Sequence, residues 1–447
     1  MTAIRTSRPG AARFMAGARL SSPATRSLPG NPFSRHELNS TPQTISGALA
    51  GTPNAPWTAS DATFMREARA LARLGAGRTW TNPMVGAIVV ANGEVVGRGY
   101  HHRAGEAHAE TLALAAAGAR ARGATLYVSL EPCAHQGRTP PCVEAVLAAG
   151  ITRVVIPAPD PDPRVCGRGA AWLRARGVRV DVGCDAASAV LDNHGYYSHR
   201  LGITPMVTIK MAASRDGMVA RRSGQRDRVT GEAAEIDVHR LRAVHDAVVI
   251  GATTARIDRP RLDCRLLPDG VDREPVVVVF DTTLSLSAVS DWPASGREHV
   301  IVAGKDAVPD RAQVIESRGG RVLRCEMDGD TVAVRDALAR LSAMGFTRLL
   351  VEGGPSLFES FVAAGAWDAM WHYESTAEFG PAGVPMIRDD ARDLVQAALG
   401  AVVDETALGE DTRRRYLRPA ARERLLKELM ERSTAVIEEN PRVHGNR

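Results

Sequence analysis

The chain has 447 residues, 44% of them hydrophobic, and a formal net charge of +5. This length suggests two or three domains, and no apolar run approaches the roughly 18 residues of a membrane span, so a soluble protein is expected. The basic residues are nearly all arginine and are not interleaved with aromatic residues, which argues against a nucleic-acid-binding surface. A modest positive charge suits anionic small substrates such as phosphates.

The N-terminal segment, residues 1–57, differs from the rest of the chain. It is rich in Arg, Ser, Pro, Gly and Asn, and Glu37 is its only acidic residue. This composition favours a disordered extension, with an organelle transit peptide as the alternative. The six cysteines of the chain do not form the dense pattern of a disulfide-stabilised secreted protein, so we expect a reducing, cytoplasmic setting.

A first α/β series is predicted for residues 58–202. It begins with a helix whose N-cap is Ser60 or Asp61, followed by a hairpin that turns at Asn92–Gly93. Strands then alternate with helices, which predicts a layered α/β unit. The later helices are predicted at 108–123, 141–150 and 167–177, and the strands at 124–130, 153–159 and 178–183.

A second α/β series is predicted for residues 203–420. Its strands are predicted at 205–214, 247–254, 275–281, 299–304, 321–326 and 348–351, and its helices at 232–245, 331–345 and after Gly353–Gly354. The tail, residues 421–447, has the pattern of an amphipathic helix. The strand, glycine pair and helix near Gly353 could bind a phosphate through backbone N–H groups, although an ordinary strand-to-helix turn has the same pattern.

Four residues of the first series form a candidate zinc centre. His108 begins a predicted helix, Cys133 follows a predicted strand and Cys142 begins the next helix. One imidazole and two thiolates suit Zn²⁺ and leave its fourth position open to water. Glu110 is close enough to transfer protons without ligating, which is the arrangement of zinc deaminases. The alternatives are buried cysteines or a redox pair, but the eight residues between Cys133 and Cys142 are unusual for a redox pair.

The segments TNPMVGAIVV, AGEAHAE, EPCAHQGRTPPC and DPDPRVCGRG resemble the deaminase domain of the bifunctional riboflavin-biosynthesis deaminase–reductases. The resemblance covers about residues 60–420 and implies two α/β domains. The first is a cytidine-deaminase-like three-layer α/β/α domain, and the second is a dihydrofolate-reductase-like domain. The implied cofactors are Zn²⁺ and NADPH. The implied reaction deaminates 2,5-diamino-6-ribosylamino-4(3H)-pyrimidinone 5′-phosphate and then reduces the ribosyl group to ribityl.

The resemblance also implies roles for individual residues. In the first domain, Glu110 is catalytic, and the substrate residues are Asn82, His135, Arg138 and Asp160, with Arg138 on the phosphate. In the second domain, the implied substrate residues are Arg242, Leu262, Arg265 and Glu352. The implied cofactor residues are Ala213, Thr254, Asp258, Gly353, Gly354 and Ser356.

Several positions depart from the family pattern. Asp162 stands where the family usually has Asn, and Arg226-Asp227-Arg228 replaces a Ser-x-Trp segment near the reductase site. One alternative is therefore a paralogue with an altered or inactive reductase in a derived pathway, such as one leading to a toxoflavin-like product. A nucleic-acid base deaminase is more distant because it predicts Cys-x-x-Cys spacing. The second domain could also serve only as a binding module. We expect no nucleic-acid or membrane partner, and a homo-oligomer formed through the reductase-like domain.

Overall fold

The structure is a computed structural model that describes residues 57–137, 140–225, 227–268, 270–289 and 297–418, together with residues 423 and 427. The predicted N-terminal extension, except Trp57, and almost all of the predicted tail helix lie outside the described residues. Arg138, the predicted phosphate ligand, and Arg226 also lie outside them. In the parts of the chain that the structure describes, no helix has both the length and the apolar character needed to cross a membrane.

The first α/β unit contains one mixed sheet. Its strands are β1 (Gly86–Ala91), β2 (Glu94–Tyr100), β3 (Thr125–Val128), β4 (Arg153–Ile156) and β5 (Arg179–Val182). Its helices are α1 (Ala59–Ala72), α2 (Ala109–Ala117), α3 (Cys142–Ala148), α4 (Arg168–Arg174), α5 (Ala186–Asp192) and α6 (His194–Arg200). The strand order is β2-β1-β3-β4-β5, with β1 antiparallel to both neighbours and β3, β4 and β5 parallel.

Alternating side chains of this sheet pack against helices on opposite faces. Ile88 and Tyr127 lie in the core beneath α1. Val89, Leu126 and Val128 lie in the core beneath α2, α3 and α4. Because successive side chains of a strand point to opposite faces, two buried faces require helices on both sides. The expected three-layer α/β/α arrangement is therefore confirmed.

Helix α2 lies unusually close to strand β2. A Cβ atom at Gly97 would lie 2.2 Å from the carbonyl oxygen of Ala113, and one at Gly99 would lie 2.5 Å from that of Ala109. Only glycine permits this approach of a helix to a strand. The approach sets the position of the first turn of α2, where His108 and Glu110 are located.

The second α/β unit contains a larger sheet. Its strands are β6 (Met206–Ala213), β7 (Met218–Ala220), β8 (Ala247–Gly251), β9 (Val276–Phe280), β10 (His299–Gly304), β11 (Gly320–Cys325), β12 (Met327–Asp328), β13 (Thr331–Val332), β14 (Arg348–Val351), β15 (Ala369–Glu374), β16 (Val384–Pro385), β17 (Val402–Leu408) and β18 (Asp411–Leu417). Its helices are α7 (Glu232–Ala243), α8 (Ala252–Ile257), α9 (Pro309–Ser317), α10 (Val334–Ala343), α11 (Pro355–Ala363) and α12 (Arg392–Ala398).

Nine of these strands form one sheet in the order β11-β10-β9-β8-β14-β6-β15-β18-β17. The first seven strands are parallel, and β18 and β17 add an antiparallel hairpin at one edge. One face packs against α10 and α11, and the other packs against α7 and α9. The carboxyl ends of β8, β14 and β6 are neighbours, so residues that follow these strands meet at one edge of the sheet.

Four local predictions need correction. Helix α1 has Thr58 as its N-cap, not Ser60 or Asp61, because Thr58 and Asp61 form a reciprocal capping box. Helix α2 ends at Ala117, since Gly118 has a positive φ of 55° and a 3₁₀ turn follows. Strand β8 ends at Gly251, and the next residues form α8. Residues 331–332 form a strand, so the helix predicted from 331 begins at Val334.

Candidate functional site

The three predicted metal ligands converge. His108 is the N-cap of α2, Cys142 is the first residue of α3, and Cys133 lies in the loop after β3. His108 Nδ1 is 3.1 Å from Cys142 Sγ and 3.7 Å from Cys133 Sγ, and the three potential ligand atoms all lie within 4.8 Å of one another. A tetrahedral zinc ion binds nitrogen and sulfur at about 2.0–2.3 Å, so three donors this close fit it.

The two thiols have different proton affinities. Hydrogen bonding from Cys142 lowers the pKa of Cys133, and the nearby His108 lowers it further. The Cys142 pKa is raised, first by its hydrogen bond to Cys133 and then by burial. The pair therefore favours a thiolate at Cys133. A thiolate is the form that binds a metal, so the local charges suit a cation at this position.

Glu110 lies in the first turn of α2, beside the ligand trio. Its side chain is buried with 3% exposure, and burial followed by the negative charge at Cys133 raises its pKa. A raised pKa makes a carboxylate a better proton acceptor than an ordinary one. The acid–base role that the His-x-Glu spacing predicts for Glu110 stays a prediction, which its buried position beside the trio supports.

A cavity of about 540 Å³ lies in front of the trio, and we call it the first-unit cavity. The structure brings six predicted residues to its wall: Asn82, His108, Glu110, Cys133, His135 and Asp160. Cys142 lies behind this wall as a fully buried ligand. His135 Nδ1 is buried without a hydrogen-bond partner among the described residues. A buried polar atom of this kind normally has a partner, so it favours a ligand in the cavity.

Asn82 is held by His101, which no sequence motif marks as a site residue. His101 Nδ1 is 3.2 Å from the carbonyl oxygen of Ala107, which can only accept, so Nδ1 carries the proton. His101 Nε2 then accepts from the Asn82 amide at 3.3 Å. Burial lowers the pKa of His101, which favours this neutral form. The contact fixes the Asn82 amide at the cavity wall.

Asp160 is fixed by a set of buried hydrogen bonds. Tyr196 Oη donates to Asp160 Oδ1 at 2.9 Å, and the backbone N–H of Asp162 donates to the same oxygen at 2.8 Å. Glu131 accepts the backbone N–H groups of Asp160, Gly167 and Ala170, which attaches this loop to the end of β3. Burial outweighs these bonds and raises the pKa of Asp160 to about 7.

Asp162 is paired with arginine and does not introduce an uncompensated charge. Arg164 Nη2 is 2.6 Å and Arg200 Nη1 is 3.6 Å from Asp162 Oδ2. Hydrogen bonds from Arg164 lower the Asp162 pKa to about 2. Arg164, Arg200 and Tyr196 line the first-unit cavity but were not selected from the sequence. Tyr196 and Arg200 come from α6, far along the chain from the motif loops, and no local pattern marks them.

The predicted residues of the second unit gather at the carboxyl edge of β6, β8 and β14. Ala213 ends β6, Thr254 lies in α8 after β8, and Gly353 and Gly354 follow β14. A Cβ atom at Gly354 would lie 3.8 Å from Thr254 Oγ1, so these two segments are adjacent. Asp258 is the C-cap of α8, and Ser356 lies in the first turn of α11. Ligands of parallel α/β sheets bind at such an edge.

Arg242 and Glu352 form a buried, bidentate ion pair. Arg242 Nε and Nη2 donate to the two carboxylate oxygens of Glu352 at 2.6 and 2.8 Å, and Nη1 donates to the Asp263 carbonyl oxygen. Burial raises the pKa of Glu352, but Arg242 and then Lys210 outweigh it, and the net shift is downward. The Arg242 guanidinium is therefore occupied by protein groups in this conformation.

The other predicted substrate residues of the second unit also contact the protein. Arg265 is hydrogen-bonded to Asp263, and Leu262 is buried with 3% exposure. Arg228, which replaces a residue of the family pattern, pairs with Glu235 at 2.9 Å on the surface. The structure thus brings the predicted residues to one region, with their charges neutralised by neighbouring side chains.

Comparison with protein families matches both units. Residues 58–158 match the cytidine and deoxycytidylate deaminase zinc-binding region, and residues 205–398 match the RibD C-terminal domain. The chain is 39% identical over 314 residues to riboflavin biosynthesis protein RibD of Bacillus amyloliquefaciens, covering 69% of this chain and 83% of the relative. It is 35% identical over 364 residues to RibD of Actinobacillus pleuropneumoniae, covering 79% and 94%.

Solved structures match over the same range. RibD of Acinetobacter baumannii superposes with a TM-score of 0.68 at 32% identity, covering 80% of this chain and 99% of that one. A diaminohydroxyphosphoribosylaminopyrimidine deaminase/5-amino-6-(5-phosphoribosylamino)uracil reductase of Thermotoga maritima superposes with a TM-score of 0.67 at 30% identity, with the same coverage. Both similarities span the two units together.

Proposed function

Because the chain belongs to the family of bifunctional riboflavin-biosynthesis deaminase–reductases, we propose that its first domain deaminates 2,5-diamino-6-ribosylamino-4(3H)-pyrimidinone 5′-phosphate. The second domain then reduces the ribosyl side chain of the product with NADPH. The chain is an enzyme of riboflavin biosynthesis, with a hydrolase domain that uses zinc joined to a reductase domain that uses NADPH.

The proposed deaminase activity is supported by the ligand trio and the cavity in front of it. The trio His108, Cys133 and Cys142 lies next to Glu110, and the cavity in front of it is lined by Asn82, His135 and Asp160. A cavity of about 540 Å³ is within the usual size range of sites for small molecules. The arrangement supports hydrolytic attack on a bound heterocycle.

The chemistry follows from the positions of the protein groups. Zinc bound to the trio supplies Lewis acidity, which makes water nucleophilic near neutral pH. Glu110 takes a proton from the attacking water and passes it to the ring nitrogen. It then takes the second proton from the added hydroxyl and gives it to the amino group, which leaves as ammonia while the carbonyl forms. Asn82 and Asp160 orient the pyrimidine through hydrogen bonds, since both side chains are fixed by neighbours. The walls of the cavity hold the amino-bearing carbon near Glu110.

The proposed reductase activity is supported by the residues at the carboxyl edge of β6, β8 and β14. Thr254 and the Gly353–Gly354 turn are adjacent there, and the first turn of α11 has backbone N–H groups that suit a phosphate of NADPH. Hydride transfer to a bound sugar needs positioning more than acid–base groups. The residues at this edge would hold the cofactor and the sugar in contact.

The test is turnover of the diaminopyrimidinone ribosylamino phosphate by the full chain, with ammonia release and NADPH oxidation followed separately. We expect one ammonia per substrate with or without NADPH, and NADPH oxidation only after deamination. Absence of ammonia would contradict the deaminase proposal. Ammonia without NADPH oxidation would contradict the reductase proposal.

A derived pathway is the second candidate, and the charged pairs of the second unit favour it. Arg242 and Arg265 are both occupied by carboxylates of the protein, and Arg228 is paired with Glu235. A substrate that lacks the expected phosphate, or no reduction at all, would be compatible with these pairs. Titration of the protein's tryptophan fluorescence with NADPH tests whether the second unit binds the cofactor, because a unit without a cofactor site would give no saturable change.

We further propose that the protein works in the cytoplasm as a homo-oligomer formed through the reductase domain. All six cysteines are free, which suits a reducing compartment. Strand β17 is an edge of the nine-stranded sheet, and an edge strand can pair with a second copy. Light scattering after size exclusion measures the mass directly, and a monomer at micromolar concentration would contradict this proposal.

A further inference from the structure

One wall of the first-unit cavity is built against the second domain. The segment 77–82 follows α1 and carries Trp80 and Asn82, which both line the cavity. Gly77 has a φ of 76°, and a Cβ atom there would lie 2.0 Å from the carbonyl oxygen of Ala243, the last residue of α7. The segment therefore packs directly on a helix of the reductase domain, at a distance that only glycine permits.

Two residues of the reductase domain, Asp272 and Arg273, contact the deaminase domain at this wall. Arg103 Nε and Nη2 donate to the two carboxylate oxygens of Asp272 at 2.8 and 2.7 Å. Arg78 Nε lies 3.8 Å from the same carboxylate. The Arg273 guanidinium lies 3.8 Å from the centroid of the Trp80 indole ring, a cation–π contact. Neighbouring residues of one reductase-domain loop thus contact two segments of the deaminase domain beside the cavity.

The loop that carries Asp272 and Arg273 is itself held in place. It connects α8 to β9, and Glu274 accepts the backbone N–H of Cys264 at 2.9 Å. Arg297 donates to the carbonyl oxygens of Leu262 and Pro275. The same loop carries Leu262 and Arg265, two of the predicted reductase substrate residues. These hydrogen bonds support the loop from which Arg273 contacts the Trp80 ring.

The indole N–H of Trp80 has no role in the fold that the structure shows. Trp80 Nε1 is buried, and it has no hydrogen-bond partner among the residues that the structure describes. Indole nitrogen is a donor only, so it needs an acceptor. Because the side chain lines the first-unit cavity, a bound molecule with an oxygen acceptor can supply one.

We propose that Trp80 is a substrate-binding residue of the deaminase, whose indole N–H donates to an oxygen of the phosphorylated pyrimidine nucleoside, and that Arg273 of the reductase domain is its positioning residue. This inference rests on the proposed function. It assigns the reductase domain a part in deamination, because the domain supports one wall of the neighbouring cavity.

The kinetic test uses full-length variants and ammonia release. Trp80→Phe replaces the indole by a phenyl ring, which keeps an aromatic face for Arg273 and removes the N–H donor. We expect about a fivefold rise in KM with kcat unchanged, since one neutral hydrogen bond is lost. Arg273→Gln removes the cation but keeps the length, and we expect about a threefold rise in KM. Arg273→Lys retains the cation and should restore most of the wild-type KM. Arg340→Ala, which removes an exposed ion pair elsewhere in the same domain, should leave KM unchanged.

The double variant separates positioning from general destabilisation. If Arg273 acts through the indole N–H, then Arg273→Gln should not raise KM further in the Trp80→Phe background. Equal increases in both backgrounds, or a Trp80→Phe protein with wild-type KM, would overturn the proposal. A fall in kcat at constant KM would do the same, because it would place Trp80 in the chemical step.

A readout without turnover keeps this test separate from that of the proposed function. With ¹⁵N-labelled tryptophan, the six indole N–H signals can be observed, and Trp80→Phe identifies one of them. We expect that signal to move in Arg273→Gln and again on adding the pyrimidine substrate. No movement in Arg273→Gln would overturn the contact whatever the activity. Absence of ammonia from the wild type, with the signal still responding to Arg273→Gln, would contradict the proposed function and leave the contact standing.

Discussion

The two candidate sites of this chain differ in whether their polar groups face a cavity or are bound by other side chains of the protein. In the deaminase domain, Glu110, Asp160 and His135 line a cavity, and His135 Nδ1 lacks a partner among the described residues. In the reductase domain, Arg242 is bound to Glu352 and Arg265 to Asp263. The first site thus leaves His135 Nδ1 for a ligand, whereas in the second site the guanidinium groups of Arg242 and Arg265 are bound by carboxylates of the protein. Residue identity alone therefore does not show whether a site is open.

Removal of a zinc ligand is expected to have the largest effect of all, because it should abolish activity at the first site and leave the second site intact. In Cys142→Ser, zinc content should fall from one per chain to near zero, and deamination should become undetectable, because the thiolate donor is lost. Metal analysis and ammonia release measure both. Cys184→Ala, which changes a buried cysteine outside the trio, should keep its zinc. Deamination that persists without zinc would contradict the deaminase mechanism.

Glu110→Gln tests the proton-transfer role without removing the metal. We expect kcat for deamination to fall by about 10²–10⁴-fold with zinc content unchanged, since an amide cannot shuttle the proton. Steady-state ammonia release is the measurement. Glu106→Gln is the matched control, because Glu106 lines the same cavity but is exposed. A kcat within about twofold of wild type in Glu110→Gln would exclude Glu110 as the general acid–base.

Breaking the Arg242–Glu352 pair tests whether this buried ion pair of the second site stabilises the folded domain. Glu352→Gln should lower the unfolding free energy by about 3–5 kcal/mol, because the buried guanidinium loses its partner. Replacing both residues by Met should recover most of this loss. Urea unfolding followed by tryptophan fluorescence gives the values. Glu235→Gln, which breaks an exposed pair, should cost less than about 1 kcal/mol, and a similar small cost for Glu352→Gln would contradict the argument.

The smallest predicted effect concerns pH and Asp160. Its folded-state pKa of about 7 lies above the ordinary value of 3.8, so the folded protein binds this proton more tightly than the unfolded chain does. The resulting stabilisation is complete below about pH 4 and is lost as pH rises through 7. The unfolding free energy of Asp160→Asn, relative to that of wild type, should therefore be about 2–3 kcal/mol higher at pH 8 than at pH 5.

Urea unfolding at the two pH values tests this expectation. Asp162→Asn is the matched control, because the Asp162 pKa of about 2 keeps that group ionised throughout the range. The difference in unfolding free energy between Asp162→Asn and wild type should be the same at pH 5 and pH 8. If Asp160→Asn also shows a constant difference, Asp160 does not titrate near neutral pH, and its carboxylate faces the substrate in the ionised form.

Much of the deaminase site could be predicted because its chemistry is local in sequence. His108 and Glu110 lie on one helical turn, and Cys133 and Cys142 bracket one loop. Tyr196 and Arg200 were missed because they come from α6, far along the chain from the motifs. His101 lies near the motifs, but its contact with Asn82 depends on how β2 is placed in the sheet. The antiparallel β17–β18 hairpin was also not predicted, since its strands are polar and half-exposed and have no hydrophobic alternation.

The sequence by itself determined the layered α/β architecture, the composition of the metal trio and the family of this protein. These features depend on hydrophobic period and on motifs of a few residues, which are read without knowing the fold. Only the tertiary structure decided that Arg242 is occupied by Glu352, a residue 110 positions away, and that Arg273 of one domain lies on Trp80 of the other. Such contacts form where packed elements bring distant side chains together, and their energy depends on burial and distance, neither of which is written in the local sequence.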